Sequence, residues 1–212
     1  MFYNSSMDHK KTVREGYNVI ANRYLSDRKR DSEDVRLLDE FIERLPANAE
    51  VLDAGCGAGI PITLKLSEHF HVTGVDFSET QIELAKRNVP PAKVLCMDMT
   101  QLDFPVNTFD GITSYYAIIH IPREGHQALL AKFHRILKQG GLALLCLGAE
   151  HLIDDFEDDF YGARMYWSHY DRDTYLRILT ELGFQIIWSR LVADESCEGA
   201  KHLFVLAQKS KA

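Results

Sequence analysis

The stretch that most constrains this chain is residues 49–59, Ala-Glu-Val-Leu-Asp-Ala-Gly-Cys-Gly-Ala-Gly. A short apolar run, Val51-Leu52, ends in an acid, Asp53, and passes directly into a turn with glycine at 55, 57 and 59. Leu64 and Leu66 then open a helical pattern. A strand that feeds a glycine-rich turn and a helix start gathers backbone N–H groups and the positive end of a helix dipole at one point. Glycine is required there because it adopts positive φ without strain and lets the backbone approach a ligand closely. The next apolar run, Val72 to Val75, ends in Asp76, 21 residues after Gly55. At about that spacing a nucleotide-binding βαβ unit carries the acid that accepts ribose hydroxyls. Glycine turn and spaced acid together predict a nucleoside-binding site.

The charge around the turn says which nucleoside. A dinucleotide turn follows G-x-G-x-x-G and needs glycine or alanine at position 60, where this chain has Ile60. Asp53 stands two residues before the first glycine. Its carboxylate would repel a pyrophosphate and attract a cation. S-adenosylmethionine carries a sulfonium and an α-ammonium, and suits that acid. The run Val51-Leu52-Asp53-Ala54-Gly55-Cys56-Gly57-Ala58-Gly59 resembles the first motif of class I S-adenosylmethionine-dependent methyltransferases. Within them it is most similar to the small type-11, or ubiquinone-biosynthesis-like, kind. The resemblance covers about the whole chain, most specifically residues 51–59, 75–76 and 97–99. It implies an α/β fold, a Rossmann-like three-layer sandwich. Its sheet would be seven-stranded and mostly parallel with a final antiparallel strand, and N-terminal helices would lie over the cofactor site. It also implies a small-molecule methyltransferase whose cofactor is S-adenosyl-L-methionine and whose product is S-adenosyl-L-homocysteine.

Composition narrows the partners. At 212 residues a single domain is expected, and 46% hydrophobic with 26% charged residues is ordinary for a globular protein. A net charge of −7 argues against a nucleic-acid partner, which calls for a basic footprint. The four cysteines, Cys56, Cys96, Cys146 and Cys197, form no C-x-x-C. The first three fall in the glycine turn or in strands, so they are expected to be buried thiols in a reducing compartment. Residues 1–11 lack the apolar core of a signal peptide, and no run approaches 18 apolar residues. These features predict a soluble, cytoplasmic protein with no membrane partner, a monomer or homodimer.

Periodicity supplies the elements. Val13, Tyr17, Ile20, Ala21 and Tyr24 recur at helical steps over residues 8–26, and Leu37, Leu38, Phe41, Ile42 and Leu45 do so before Pro46. The charge run 27–34 between them reads as a solvated joint. Strands are predicted at 49–54, 71–76, 92–96, 109–116, 141–148, 184–193 and 201–208. Helices are predicted at 59–69, 79–88 (with Ser78 as N-cap), 124–138 (ending at Gly140-Gly141) and 171–182. Alternation of this kind calls for a mostly parallel sheet covered on both faces. The short link from Asp194 to Gly199 fits a hairpin, so the last strand should run antiparallel to its neighbour. One methyltransferase domain, 1–212, would comprise a helical cap (1–48), a cofactor-binding core (49–149), a substrate lid (150–170) and a C-terminal helix with a strand pair (171–212).

Site residues follow from both sources. The backbone of Gly55, Gly57 and Gly59, with Cys56 between them, should line the methionyl part of the cofactor, with Asp53 near the ammonium. Asp76 should accept both ribose hydroxyls, since an ionised carboxylate only accepts and offers two oxygens. Phe77 is expected to pack on adenine. By resemblance Asp98 binds the adenine amino group and Met99 supplies its N–H and an apolar edge; a turn-capping role is the alternative for Asp98. Ser114 and Tyr115, at the end of the fourth strand, and Tyr17 and Tyr24, in a Y-x-x-x-A-x-x-Y segment, complete the expected cofactor set. For Tyr17 and Tyr24, helix packing is the plainer alternative.

Methyl transfer is an in-line displacement needing alignment and exclusion of water more than any obligatory side chain. Tyr116 and His120 are the candidates for catalysis, His120 as a general base or as a packing histidine. The sequence Ser-Tyr-Tyr-Ala at 114–117 gives no support to nucleobase amino methylation. Tyr116, His120, Trp167 and His169 are the candidate substrate contacts. Residues 150–170 join six acids (Glu150, Asp154, Asp155, Glu157, Asp158, Asp159) to an aromatic run. Aromatic walls with an acidic mouth would suit a partly apolar, cationic acceptor, while a solvated acidic loop is the simpler account of the acids. His151, His169 and His202 lack metal-binding spacing, so no metal is expected. The leading function is methyl transfer to a small molecule at oxygen or nitrogen. The alternatives are a non-catalytic S-adenosylmethionine-binding module and a nicotinamide-dependent oxidoreductase.

Overall fold

The computed structural model describes residues 5–194 and 199–210. The elements run α1 (Ser5–Asp27), α2 (Glu33–Arg44), β1 (Glu50–Ala54), α3 (Ile62–Ser67), β2 (His71–Asp76), α4 (Glu79–Asn88), β3 (Lys93–Cys96) and β4 (Phe109–Ser114). They continue with α5 (His126–Ile136), β5 (Leu137–Gly148), β6 (Leu152–Phe160), β7 (Ala163–His169), α6 (Arg172–Glu181), β8 (Phe184–Ala193) and β9 (Lys201–Lys209). Seven strands form one sheet in the order β3-β2-β1-β4-β5-β9-β8. The pairs among β1 to β5 are parallel, and β9 runs antiparallel to both β5 and β8. This is the expected mostly parallel sheet. Its order reverses at β1, so the crevice outside the carboxyl ends of β1 and β4 is where a ligand sits in such folds.

The sheet is covered on both faces because its strands are apolar on both. In β5, Leu142, Leu144 and Cys146 pack with Val35, Leu38 and Phe41 of α2 and with Ile62 and Leu66 of α3. The alternate residues Ala143, Leu145 and Leu147 pack with Leu129, Leu130 and Phe133 of α5 and with Tyr175 and Leu179 of α6. A period of two thus feeds two separate cores from one strand. A third, smaller cluster lies off the sheet: Val13 and Ile20 of α1 with Met165 and Tyr166 of β7, ringed by Tyr17, Tyr24, Phe77, Phe156 and Phe160.

Three expectations are corrected here. The helix predicted at 124–138 stops at Ile136, and Gly140-Gly141 lie inside β5. They form an irregularity there, with the β4–β5 register shifting between Phe109 and Gly111 and Gly140 at φ 76°. Residues 152–169, for which periodicity gave no element, form a two-stranded antiparallel sheet, β6–β7. The 27–34 run is a joint solvated only in part: Asp27, Lys29, Arg30, Asp31 and Glu33 are exposed, but Ser32 and Asp34 are buried and Arg28 ion-pairs with Asp34 at 3.0 Å. Of the cysteines, Cys56 and Cys146 are buried as expected, but Cys96 is exposed because it ends a short edge strand. Cys197 lies outside the described residues.

Gly111 shows how closely α2 approaches β4. A Cβ there would stand 2.6 Å from Phe41 Cζ and 2.8 Å from Leu45 Cδ1. Gly111→Ala is therefore expected to lower stability by about 1–3 kcal/mol, the usual cost of overpacking a filled core. Urea unfolding measures this, and adding Phe41→Leu should return part of the loss.

Candidate active site

The glycine turn leaves β1 and is held by β2. Gly55 N–H and Cys56 N–H both donate to the Val75 carbonyl, at 2.8 and 3.0 Å. Gly55 is at φ +83°, and a Cβ there would fall 2.2 Å from the Ala117 Cβ. Gly57, at φ +53°, meets nothing closer than Gln81 Oε1 at 3.9 Å, so the space over it is open. Asp76 closes the turn from the end of β2. Its Oδ2 accepts from Gly57 N–H at 3.0 Å and its Oδ1 from Ser78 N–H at 2.9 Å. Ser78 is the N-cap of α4, its hydroxyl accepting from Gln81 N–H.

Two carboxyls thus flank the turn, Asp53 buried and Asp76 half-buried. Asp53 is 1% exposed and accepts from the Thr63 hydroxyl at 2.6 Å and the Thr113 hydroxyl at 3.0 Å. Burial pushes Asp53 and Asp76 each up to about 6, against the hydrogen bonds that favour their ionised forms. Among the described residues neither has an ion-pair partner.

A cavity opens over this turn. It is lined by Gly55, Gly57, Asp76, Phe77, Asp98, Met99, Tyr115, Tyr116 and His120, and roofed by Lys10, Tyr17 and Tyr24 of α1. Asp98 caps the short helical turn Met99–Gln101 through Thr100 N–H at 2.8 Å, and also takes Lys10 Nζ at 2.7 Å. Burial opposes ionisation of Asp98, but the Lys10 and Thr100 hydrogen bonds outweigh it and hold the carboxyl below its usual range. Cys56 lines a smaller adjoining hollow with Asp53 and Arg28. Ser114 is fully buried and its hydroxyl donates to the Ala54 carbonyl at 2.8 Å, so it braces the wall and does not line the cavity.

Tyr17, Tyr24, Tyr116 and His120 also line a second cavity, shared with Phe160, Trp167 and His169. His120 joins roof to wall. A carbonyl only accepts, so the Nδ1 that lies 2.7 Å from the Tyr166 carbonyl carries the proton. The other nitrogen, Nε2, then accepts from the Tyr17 hydroxyl at 2.9 Å. Trp167 stands beside this ring, with centroids 5.5 Å apart. The acids of β6 sort by strand alternation: Asp155 and Glu157 face the second cavity. Asp154 accepts from the Tyr166 hydroxyl and Asp158 pairs with Arg164. Tyr116 sits at the crossing of the cavities with φ 52°, a conformation that non-glycine residues rarely adopt.

Residues 51–141 match the family model described as a methyltransferase domain. Over this stretch the chain is similar to a methyltransferase domain. It is 28% identical over 183 residues to "Phosphoethanolamine N-methyltransferase 3" of Arabidopsis thaliana, covering 81% of this chain and 36% of that protein. It is 34% identical over 109 residues to "2-methyl-6-phytyl-1,4-hydroquinone methyltransferase" of Synechocystis, covering 49% of this chain and 33% of that protein. The chain therefore spans about a third of the length of these curated relatives. Among solved structures it is similar to the Burkholderia thailandensis 1,6-didemethyltoxoflavin-N1-methyltransferase with bound 1,6-didemethyltoxoflavin and S-adenosylhomocysteine. That match has a TM-score of 0.75 at 18% identity and covers 100% of this chain and 93% of the other. The fold is that of S-adenosylmethionine-dependent methyltransferases, and among the described residues no helix is long and apolar enough to cross a membrane.

Two residues of the domain's site escaped the sequence reading. Lys10 carried no motif, and only the approach of α1 brings it to Asp98. Arg28 was masked by the charge run around it. Its guanidinium stacks over the Tyr116 ring at 4.8 Å and lines the hollow beside Gly55 and Gly57.

The His120 geometry predicts its titration. Burial first, with a smaller repulsion from His202, lowers its pKa to about 4 despite the bond to the Tyr166 carbonyl. The folded state thus favours the neutral ring, and the stability this gives is lost as pH falls from the ordinary histidine range through about 4. Imidazole carbon shifts of His120 should stay unchanged between about pH 7.5 and pH 5.5. A midpoint near 6.5 would contradict the burial seen here.

Proposed function

We propose that this protein transfers a methyl group from S-adenosylmethionine to a small-molecule acceptor, at oxygen or nitrogen. The observation that carries the reading is the meeting of two cavities at Tyr17, Tyr24, Tyr116 and His120. One holds the glycine cradle and its acids; the other is walled by aromatic rings. A cofactor and an acceptor bound on either side would meet at that boundary.

The residues present fit the cofactor. Gly57 leaves open space where a side chain would stand, and Gln81 Oε1 beside it is buried without a partner among the described residues. Asp53 is a buried carboxyl and Asp76 a half-buried one, and among the described residues neither has a cation to balance it. Ligand N–H and O–H groups and a positive charge would meet those needs. Asp76 would hold the ribose, Asp98 the adenine amino group in company with Lys10, and Phe77 and Met99 the ring. Asp53 would face the ammonium and Arg28 the carboxylate, with Gly55, Cys56, Gly57 and Tyr115 shaping the cradle. S-adenosylmethionine, when bound, supplies an electrophilic methyl on a sulfonium.

The chain's own part is alignment and dryness. Tyr17 and Tyr24 of α1 roof the boundary, Trp167 and Phe160 wall the acceptor side, and His169 fixes the hairpin by bonding the Glu150 carbonyl at 2.6 Å. Burial keeps His120 neutral, so its Nε2 is a proton acceptor at neutral pH whenever the Tyr17 hydroxyl yields to the acceptor's. Tyr116 holds the crossing point in shape. The cap 1–48 and the hairpin within 150–170 would thus serve as cover and specificity wall on a core of 49–149, with 171–212 completing the sheet. The small molecules named for the relatives, phosphoethanolamine and a hydroquinone, and the 1,6-didemethyltoxoflavin bound to the structural neighbour, support a small-molecule acceptor.

Incubation with methyl-labelled S-adenosylmethionine and a fractionated small-molecule extract should yield a labelled product whose fragments place the methyl. S-adenosylhomocysteine binding without any labelled product would count against transfer, and no binding would overturn the cofactor site itself. Asp76→Ala should weaken S-adenosylhomocysteine by about 2–5 kcal/mol in a calorimetric titration. Affinity should also fall as pH drops from 7 to 5, because Asp53 and Asp76 take up protons near 6 and lose their charge. The sign for the ligand-free fold is opposite: these raised carboxyls favour the folded state at low pH, and that contribution is lost as pH rises through 6.

A further inference from the structure

We infer that Gln81 is a second reader of the ribose, its side-chain carbonyl accepting a hydrogen bond from a sugar hydroxyl beside Asp76. The inference rests on the reading of this cavity as an S-adenosylmethionine site.

Gln81 stands in the first turn of α4, and its backbone N–H is tied to the Ser78 hydroxyl at 3.2 Å. The same short unit presents Asp76, whose Oδ1 accepts from Ser78 N–H. Strand end, cap and helix therefore fix both side chains in one frame. Gln81 is 2% exposed, yet it lines the nucleoside cavity, and its Oε1 is buried without a hydrogen-bond partner among the described residues. A buried carbonyl with no donor destabilises a fold, so one aimed at a cavity calls for a donor from what fills it.

Position selects the donor. Gln81 Oε1 lies 3.9 Å from where a Gly57 side chain would begin, and Asp76 Oδ2 bonds to the N–H of the same glycine. The two acceptors flank one backbone group and thus address one part of a ligand. A ribose offers two adjacent hydroxyl donors. Asp76 spends one lone pair of each oxygen on the backbone and has one left on each, so a third acceptor lets each hydroxyl find a partner as the ligand settles. Packing asks for nothing polar here, since Ile82 and Ala85 supply the buried apolar face of α4.

The test uses S-adenosylhomocysteine and 5′-methylthioadenosine, which shares the nucleoside and lacks the amino-acid part. Gln81→Met, close in size and helix preference, is titrated with both by calorimetry, and the ligand-free variant is melted beside the wild type. Affinity for both ligands should fall about tenfold, the factor that a hydrogen bond of ~1.4 kcal/mol represents. The ligand-free melting temperature should hold or rise, because the unmet carbonyl is gone. Unchanged affinity for both ligands overturns the inference. Loss for S-adenosylhomocysteine alone would move the donor to the amino-acid part and overturn the ribose assignment. A lowered melting temperature with weaker binding, reproduced in Gln81→Leu, would make Gln81 a packing residue. Wild type that binds neither ligand would fail the cofactor reading itself, a result distinct from each of these.

Discussion

The site depends on one carboxyl that is bonded twice before any ligand arrives. Asp76 ties Gly57, in the turn after β1, to Ser78, at the start of α4. Without those bonds the Gly57 and Ser78 N–H groups would lack partners, and the turn would rest on β2 only through the Val75 carbonyl. The same bonds point the carboxyl over the open space at Gly57 and leave a lone pair on each oxygen. Burial charges for this arrangement by raising the carboxyl to about 6. A ligand that donates into those lone pairs relieves that cost, so the shape of the turn and its appetite for a donor have one cause.

Much of this was legible because it is local. A glycine turn, an acid at a strand end and a capping serine each act within a few residues, and their spacing survives in the sequence. The parallel sheet was legible too, since strands buried on both faces must be apolar throughout. Gly140-Gly141 misled for a physical reason: glycine after a helical stretch reads as a C-cap, but here Leu137 is already extended with ψ 139°. The glycine pair serves a strand irregularity instead, where β5 regains register with β4.

What was not legible depends on contacts distant in sequence. Asp34 reads as one charge in a charged run until Arg28 and the Ser32 hydroxyl close on it. Gln81 reads as a polar helix residue until Gly57 leaves room in front of it. The strands β6 and β7 were hidden by acids that look solvated, yet alternation places Asp154 on a tyrosine hydroxyl and Asp155 toward a cavity. Each of these assignments needs a partner chosen by the fold.

The division of the core bears on how transfer would be controlled. The turn, Asp53 and Asp76 stand at the ends of strands whose side chains belong to the two large sheet clusters. Tyr17, Tyr24, Phe160 and Trp167 belong to the separate cluster formed by α1 and the β6–β7 hairpin. Between them run a few polar links: Lys10 to Asp98, Tyr17 to His120, Asn18 to the Ser78 hydroxyl, and His120 to the Tyr166 carbonyl. A roof joined to the floor by these hydrogen bonds and the packing of Phe77 can part at less cost than the floor can unfold, since the two sheet clusters are built from side chains of their own. Displacement at a sulfonium needs water kept out only while both ligands are present. A roof whose polar links a ligand can replace one by one meets that requirement, whereas a roof continuous with the sheet core would also keep the ligands out.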